Sequence, residues 1–203
     1  GNVVDLGSGI GFSACFMAWK WRDCHVTAVE LSTNGNIRAR EMAKRAGLHN
    51  ITFVEGALQQ FPRSHEFDLV TSFLTAHEVG CLDELHDEIY GDESHSDEFA
   101  RINLEEYQSD YAQFVGDLLN DKGSIFSLER LGGMAEQCAW IGGLRNSGVF
   151  IDLEQSTFVY PYTASWGGRE RLPVFVGSRQ ETDLSMENFE NWYNQHPFGK
   201  DVE

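Results

Sequence analysis

Short buried-strand runs and helix-spaced apolar residues alternate along the first half of this 203-residue chain. The first run covers residues 2–6, Phe12, Phe16 and Trp19 follow at helical intervals, and a second run covers residues 25–31. Strands joined through helices need crossover connections, which place the strands parallel in one sheet with helices on both faces. The pattern therefore predicts an α/β fold.

The second half of the chain keeps this alternation and then departs from it. Strands are predicted over 51–54, 67–73 and 124–128, helices over 37–46 and 134–144, a helix from Tyr107 that Lys122-Gly123 ends, and a short helix after Thr182. Two further strands, 149–160 and 172–176, have no helix between them. Their direct connection predicts an antiparallel hairpin closing a mostly parallel sheet of seven strands.

Composition narrows the classes of protein to which the chain can belong. With 41% hydrophobic residues, residues 1–203 can form a single packed domain. The net charge of −17 argues against a nucleic-acid binder, and no apolar run approaches the roughly 18 residues of a membrane span. Four scattered cysteines without a CxxC pair predict reduced thiols and a cytoplasmic location. The sequence leaves the oligomeric state open.

Acidic residues concentrate between Glu78 and Asp110, which span twelve acids and one basic residue. Leu82, Leu85 and Ile89 indicate a helical stripe within this segment. We therefore predict an acidic helical insert at about 78–110. A solvated face explains such a charge run; the alternative is a lid over the site that disfavours anionic acceptors.

A glycine-rich stretch, Asp5-Leu-Gly-Ser-Gly-Ile-Gly11, lies between the first strand and the first helix. Its glycines permit a tight turn and let a ligand lie against the backbone, and the helix N-terminus offers N–H groups to that ligand. This position is the expected ligand crevice of an open parallel sheet. Glu30, at the end of the second strand, can accept hydrogen bonds from both ribose hydroxyls. The combination predicts an adenosine-type cofactor.

The same loop leaves two cofactors open. Residues 9–14 also fit the dinucleotide fingerprint GxGxxG/A, which is compatible with NAD. Asp5 favours a cofactor with a cationic amino-acid group over NAD. Its carboxylate can anchor the loop and face such a cation, whereas it would repel the pyrophosphate of NAD.

From Val3 to about Ser178 the chain resembles the class I S-adenosylmethionine-dependent methyltransferases. The resemblance rests on the glycine-rich motif, on Val29-Glu-Leu-Ser32 with the helix after it, and on the closing strand pair after Gly148. It implies a Rossmann-like fold, S-adenosylmethionine as cofactor and methyl transfer to a small-molecule acceptor. An NAD-dependent oxidoreductase and a non-catalytic domain retaining the fold are the alternatives.

The resemblance also implies which residues contact the cofactor. They are Asp5, Gly7, Ser8, Gly9, Gly11, Glu30, Leu31, Gly56, Ala57, Leu58 and Ser72. Alanine replaces the family's acid at position 57, so the backbone N–H groups of Ala57 and Leu58, or the Glu55 carboxylate, would read the adenine ring. The chain begins inside the first strand, and we expect the leading helices that often cover the site to be absent from this sequence.

His77 and Glu78, just past the fourth strand, are the predicted catalytic residues. His77 can accept a proton from a hydroxyl acceptor, and Glu78 can orient the histidine or bind an ammonium group. The alternative is a histidine that caps or packs against the next helix.

Two other clusters of polar residues are less informative. His77, His86 and His95 recur at intervals of nine, which matches no metal-ligand motif, so no metal is predicted. Glu129-Arg130 follows the fifth strand and is either an ion pair or an acceptor contact.

Overall fold

A mixed sheet of eight strands forms the centre of the fold. The computed structural model describes residues 1–76, 97–131, 133–159, 162–163, 168–169 and 171–195, with the backbone alone for 97–105, 162–163 and 168–169. The strands of this sheet are β1 (Asn2–Leu6), β2 (His25–Glu30), β3 (Ile51–Glu55), β4 (Phe67–Phe73), β5 (Leu119–Leu128), β6 (Phe150–Ile151), β7 (Thr157–Val159) and β10 (Leu172–Ser178). Two further short strands, β8 (Tyr162–Thr163) and β9 (Gly168–Arg169), pair with each other in a separate two-stranded sheet.

The order of the strands is β3-β2-β1-β4-β5-β10-β6, and β7 also pairs with β10. Neighbours from β3 to β5 are parallel, whereas β10 is antiparallel to β5, β6 and β7. The predicted α/β class and the mostly parallel sheet with an antiparallel end are therefore confirmed. The order places the carboxyl ends of β1, β2, β3 and β4 side by side at one edge of the sheet.

Five α-helices cover the sheet within the described part of the chain. They are α1 (Phe12–Lys20), α2 (Thr33–Arg45), α3 (Asp97–Asp117), α4 (Met134–Asn146) and α5 (Met186–Gln195), with a short 3-10 turn (Leu58–Gln60) after β3. Val3 of β1 packs in a core cluster with residues of α1 and α2, and its neighbour Val4 packs in a second cluster with residues of α3, α4 and α5. This alternation places helices on both faces, as predicted. None of the helices in the described residues has the length and apolar content of a membrane span.

The strand count of seven is wrong because the first arm of the predicted hairpin is interrupted. Residues 152–156 turn out of the sheet between β6 and β7. Asp152 stabilises this turn, since its Oδ1 accepts from the Glu154 N–H at 2.9 Å and its carbonyl accepts from the Ser156 hydroxyl at 2.6 Å. The arm predicted over 149–160 is therefore two short strands.

The predicted junction between α3 and β5 is also wrong. The helix ends at Asp117 rather than at Lys122-Gly123, and β5 begins at Leu119. Leu119 pairs with Phe67, but the next pair is Leu69 with Ser124, so residues 120–123 form an irregularity within the strand. At its other end α3 begins at residue 97, and residues 97–110 of the predicted acidic insert belong to the same helix as Tyr111.

The apolar residues whose spacing predicted α1 lie on the solvent-exposed face of this helix. Phe12, Phe16 and Trp19 are 70%, 55% and 54% exposed, and the Phe16 and Trp19 rings lie 6.0 Å apart. The buried face of the helix carries smaller residues, among them Ala14 and Ala18.

Asp5 ties three elements together beneath the glycine-rich stretch. Its carboxylate is 1% exposed and accepts hydrogen bonds from the hydroxyls of Ser13 in α1 and Thr71 in β4. Burial raises the pKa of Asp5 from 3.8 to about 6, although the hydrogen bonds from Ser13, Thr71 and the Ala14 N–H oppose this shift. Burial therefore disfavours the ionised form of Asp5, and hydrogen bonds from three donors offset part of that cost.

Close approach of α3 and α4 depends on Gly143. A Cβ atom at this position would lie 2.1 Å from the Ser109 carbonyl oxygen and 2.8 Å from the Ala112 Cβ. The adjacent Gly142, in the same helix, has no atom within 4 Å of an added Cβ. The two glycines thus differ in packing but not in secondary structure.

We expect Gly143→Ala to lower the free energy of unfolding by about 1–3 kcal/mol, because the new methyl group forces α3 and α4 apart. Gly142→Ala should instead raise it by up to about 1 kcal/mol through helix propensity. Urea denaturation of both variants measures the difference. Equal effects of the two substitutions would contradict the described packing of α3 on α4.

Asp5 should make the protein less stable as pH rises. Its raised pKa means that the folded state binds the proton more tightly than the unfolded state, so the free energy of unfolding falls as pH rises from 3.8 to about 6. The full shift corresponds to on the order of 3 kcal/mol. Relative to Asp5→Asn, the parent should lose stability across this pH range in denaturation experiments.

Asp68 provides a control of opposite sign. The Asn2 N–H, 2.6 Å from Oδ2, and the Asn120 amide lower the pKa of Asp68, so its contribution to stability is lost as pH falls. A parent that is not destabilised relative to Asp5→Asn as pH rises, while Asp68→Asn behaves as expected, would show that Asp5 is not a costly buried acid.

Candidate functional site

The three glycines after β1 all adopt the left-handed conformation, with φ of 65° at Gly7, 54° at Gly9 and 79° at Gly11. A Cβ at Gly7 would lie 2.4 Å from Thr75 Oγ1, and one at Gly11 would lie 2.4 Å from the Ala39 Cβ. No atom lies within 4 Å of a Cβ added at Gly9. Two glycines are therefore required by protein packing, whereas Gly9 borders open space in which a ligand can approach the backbone.

Glu30 lies directly beside Gly9. One carboxylate oxygen accepts from the Gly9 N–H at 2.8 Å, and the other accepts from the Ser32 N–H at 2.7 Å. The Asn36 side chain donates to the Glu30 carbonyl at 2.9 Å and fixes the strand end. A carboxylate has about four lone-pair sites, so these two contacts leave capacity for two further donors.

The loop after β3 contacts Glu30 from the strand on its other side. The Gly56 N–H donates to the Glu30 carbonyl at 3.1 Å, and an added Cβ at Gly56 would meet no atom within 4 Å. Glu55 accepts a hydrogen bond from the Thr33 hydroxyl at 2.7 Å. The apolar side chain of Leu31 is 54% exposed next to these groups. Predicted contact residues from β1, β2 and β3 thus converge at one edge of the sheet.

Other predicted contact residues are turned towards the protein interior. Leu58 is buried in the core, and the Ala57 carbonyl accepts from the Gln60 N–H at 3.0 Å in the 3-10 turn. Ser8 is buried, and its N–H donates to the Val29 carbonyl at 3.0 Å. The Leu58 side chain is therefore not accessible to a ligand, whereas Ala57 is half-buried.

Ser72 lies in a buried polar network that the sequence does not reveal. Its hydroxyl donates to Glu129 and lies 2.9 Å from the Tyr111 hydroxyl. Burial and the nearby Glu129 charge raise the pKa of Tyr111 well above its usual value, so this hydroxyl stays protonated. The only sequence signal for this network is a charged residue, Glu129, immediately after a buried strand.

The predicted catalytic residues His77 and Glu78 lie outside the described residues, as do His86 and His95. Among the residues that are described, no three His, Cys, Asp or Glu side chains come close enough together to hold a metal ion.

Residues 3–91, which include β1 to β4, match the family model described as a methyltransferase domain. The chain is 38% identical over 73 residues to the tRNA1(Val) (adenine(37)-N6)-methyltransferase of Aeromonas hydrophila subsp. hydrophila, covering 35% of this chain and 30% of that protein. It is 42% identical over 72 residues to the sarcosine/dimethylglycine N-methyltransferase of Halorhodospira halochloris, covering 34% and 25%. The matches span about a third or less of these curated relatives.

Solved structures share the fold over most of the chain. A methyltransferase structure from Thermoplasma acidophilum superposes with a TM-score of 0.58 at 9% identity, covering 89% of this chain and 68% of that one. M. jannaschii TYW2 in complex with AdoMet gives a TM-score of 0.58 at 14% identity, covering 88% and 69%. Residues 3–91 of this chain are thus similar to a methyltransferase domain, and the fold over most of the chain is the one that solved methyltransferase structures share.

Proposed function

We propose that this chain binds S-adenosylmethionine along the cleft between Gly9, Glu30 and Gly56 and transfers its methyl group to a small-molecule acceptor. The observation that carries this proposal is the contact between Glu30 and the Gly9 N–H beside open space. A ligand that follows the backbone at Gly9 comes within reach of the Glu30 carboxylate.

Each part of the cleft suits one part of the cofactor. The unused lone pairs of Glu30 accept from the two ribose hydroxyls. The backbone of Ala57 and Leu58 meets the adenine edge, and the exposed Leu31 side chain offers an apolar surface to its ring. The buried Asp5 carboxylate holds the loop in place through Ser13 and Thr71.

When bound, the cofactor supplies a methyl group already activated on a sulfonium, so the protein has mainly to align an acceptor behind that carbon and exclude water. We assign proton removal to His77, and orientation of His77 or binding of an acceptor ammonium to Glu78. A base is needed only where the acceptor must lose a proton.

The charge of the chain favours a small acceptor over a nucleic acid. Polyanions bind through Lys and Arg contacts to phosphates, whereas this chain carries 15 basic and 32 acidic residues. Relatives named for tRNA and relatives named for sarcosine both match, so tRNA is the second candidate acceptor. We place the activity in the cytoplasm, in keeping with the reduced thiols of Cys15 and Cys24.

Replacing Glu30 by alanine should weaken binding of S-adenosylhomocysteine at least about tenfold, because each lost charge-assisted hydrogen bond is worth about 1.5–3 kcal/mol. Isothermal titration calorimetry measures the affinity. Glu41→Ala, which removes an exposed acid from α2, controls for the change in net charge and should bind as the parent does.

Two outcomes would contradict the cofactor assignment. Parent-like affinity of a folded Glu30→Ala variant would mean that the ribose is held elsewhere. Saturable binding of NAD, with no binding of S-adenosylhomocysteine to the parent, would favour the oxidoreductase alternative.

Label from methyl-labelled S-adenosylmethionine should enter sarcosine or another small amine or alcohol of a test panel, and not tRNA. With a hydroxyl acceptor, His77→Ala should lower this turnover by about 10²–10⁴-fold and leave S-adenosylhomocysteine affinity unchanged. Transfer to tRNA at a rate above that to every small molecule would overturn the acceptor class. Equal losses of turnover, binding and stability in His77→Ala would identify a packing residue instead.

A further inference from the structure

The turn after β4 has a conformation that its own residues do not favour. Leu74 has a φ of 57°, in the left-handed region that residues with a Cβ rarely adopt. Its N–H donates to the Leu128 carbonyl at 2.7 Å. The next two N–H groups, those of Thr75 and Ala76, both donate to one carboxylate oxygen of Glu129, each at 2.9 Å. Successive N–H groups around such a turn form a concavity for an anion, which Glu129 fills here.

Glu129 is itself held from several sides. It is fully buried, its backbone N–H donates to the Pro173 carbonyl in β10 at 3.2 Å, and its other carboxylate oxygen accepts from the Ser72 hydroxyl. Ser72 in turn contacts the Tyr111 hydroxyl of α3. Contacts to β10, β4 and α3 therefore fix where this carboxylate lies, and the turn after β4 must follow it.

The turn is seated against the glycine-rich loop. The Thr75 hydroxyl donates to the Leu6 carbonyl at 3.1 Å, and its Oγ1 occupies the space into which a Cβ at Gly7 would project. Gly7 and Gly9 belong to the same short loop, so a displacement of Thr75 is transmitted to the backbone that borders the open cleft. Glu129 is thereby linked to the cofactor cleft through Thr75, without touching a ligand.

We propose that Glu129 is a positioning residue of this site: its carboxylate sets the turn at residues 74–76 and, through Thr75, the shape of the glycine-rich loop that receives the cofactor. This role rests on the proposed function for its consequence in binding, but the contact itself can be tested separately. If Glu129 has this role, cofactor binding depends on the length of its side chain rather than on its charge.

Two conservative variants separate length from charge. Glu129→Gln keeps an amide oxygen where Thr75 and Ala76 donate, and its NH₂ group can donate to Ser72, whose hydroxyl then turns to Tyr111. Glu129→Asp keeps the charge but is one methylene shorter, so its oxygens fall back from the two N–H groups. If only the negative charge of Glu129 mattered, Glu129→Asp would behave like the parent and Glu129→Gln would not.

The test measures S-adenosylhomocysteine affinity by calorimetry and amide hydrogen exchange at Thr75 and Ala76 by NMR, at a temperature at which circular dichroism shows each variant to be folded. Glu129→Asp and Glu129→Ala should bind at least about tenfold more weakly and lose protection at both amides. Glu129→Gln should stay within about threefold of the parent and keep that protection. Phe189→Leu, a buried change in α5, should lower the melting temperature and leave both readouts unchanged.

Parent-like binding and protection in Glu129→Asp would overturn the proposal, as would losses in Glu129→Gln equal to those in Glu129→Asp. If Glu129→Ala does not fold, the Asp and Gln pair still decides. A parent that binds no S-adenosylhomocysteine would refute the proposed function, whereas the exchange data would still show whether Glu129 holds the turn.

Discussion

Two adjacent hydroxyls on β4 donate hydrogen bonds to two buried carboxylates, and these contacts fix the relative positions of the strand ends at one edge of the sheet. Thr71 donates to Asp5 of β1, and Ser72 donates to Glu129 after β5. Neighbouring residues of a strand point to opposite faces, so the two carboxylates lie on opposite sides of the sheet. A buried charge is tolerated only where donors satisfy it. The carboxyl ends of β1, β4 and β5 are therefore fixed relative to one another.

This fixed edge explains how a loop with little side-chain bulk can form the proposed cofactor site. Gly7 and Gly11 allow Thr75 and Ala39 to pack against the loop, and Gly9 is left facing open space. Glu30 reaches the same point from β2. For the proposed methyl transfer this division of roles is suitable, since that reaction requires of the protein chiefly the alignment of acceptor and cofactor. The protein's contribution is a rigid backbone surface with one carboxylate beside it.

Features governed by local pattern could be predicted from the sequence. The bounds of β1 and β4 and the parallel core follow from short apolar runs, and the left-handed turn after β1 follows from its glycines. Features governed by distant contacts could not. The early end of α3 depends on how residues 119–123 pair with β4, and the contacts of Glu129 involve N–H groups more than fifty residues away. Periodicity also identified α1 without showing that its aromatic residues face outward.

A crystal structure of the protein grown with S-adenosylhomocysteine tests the central claim most directly. We expect density for the ligand against the Gly9 backbone, with both ribose hydroxyls within hydrogen-bond distance of the Glu30 carboxylate. Ligand density elsewhere on the protein, or a ribose that Glu30 does not contact, would contradict it.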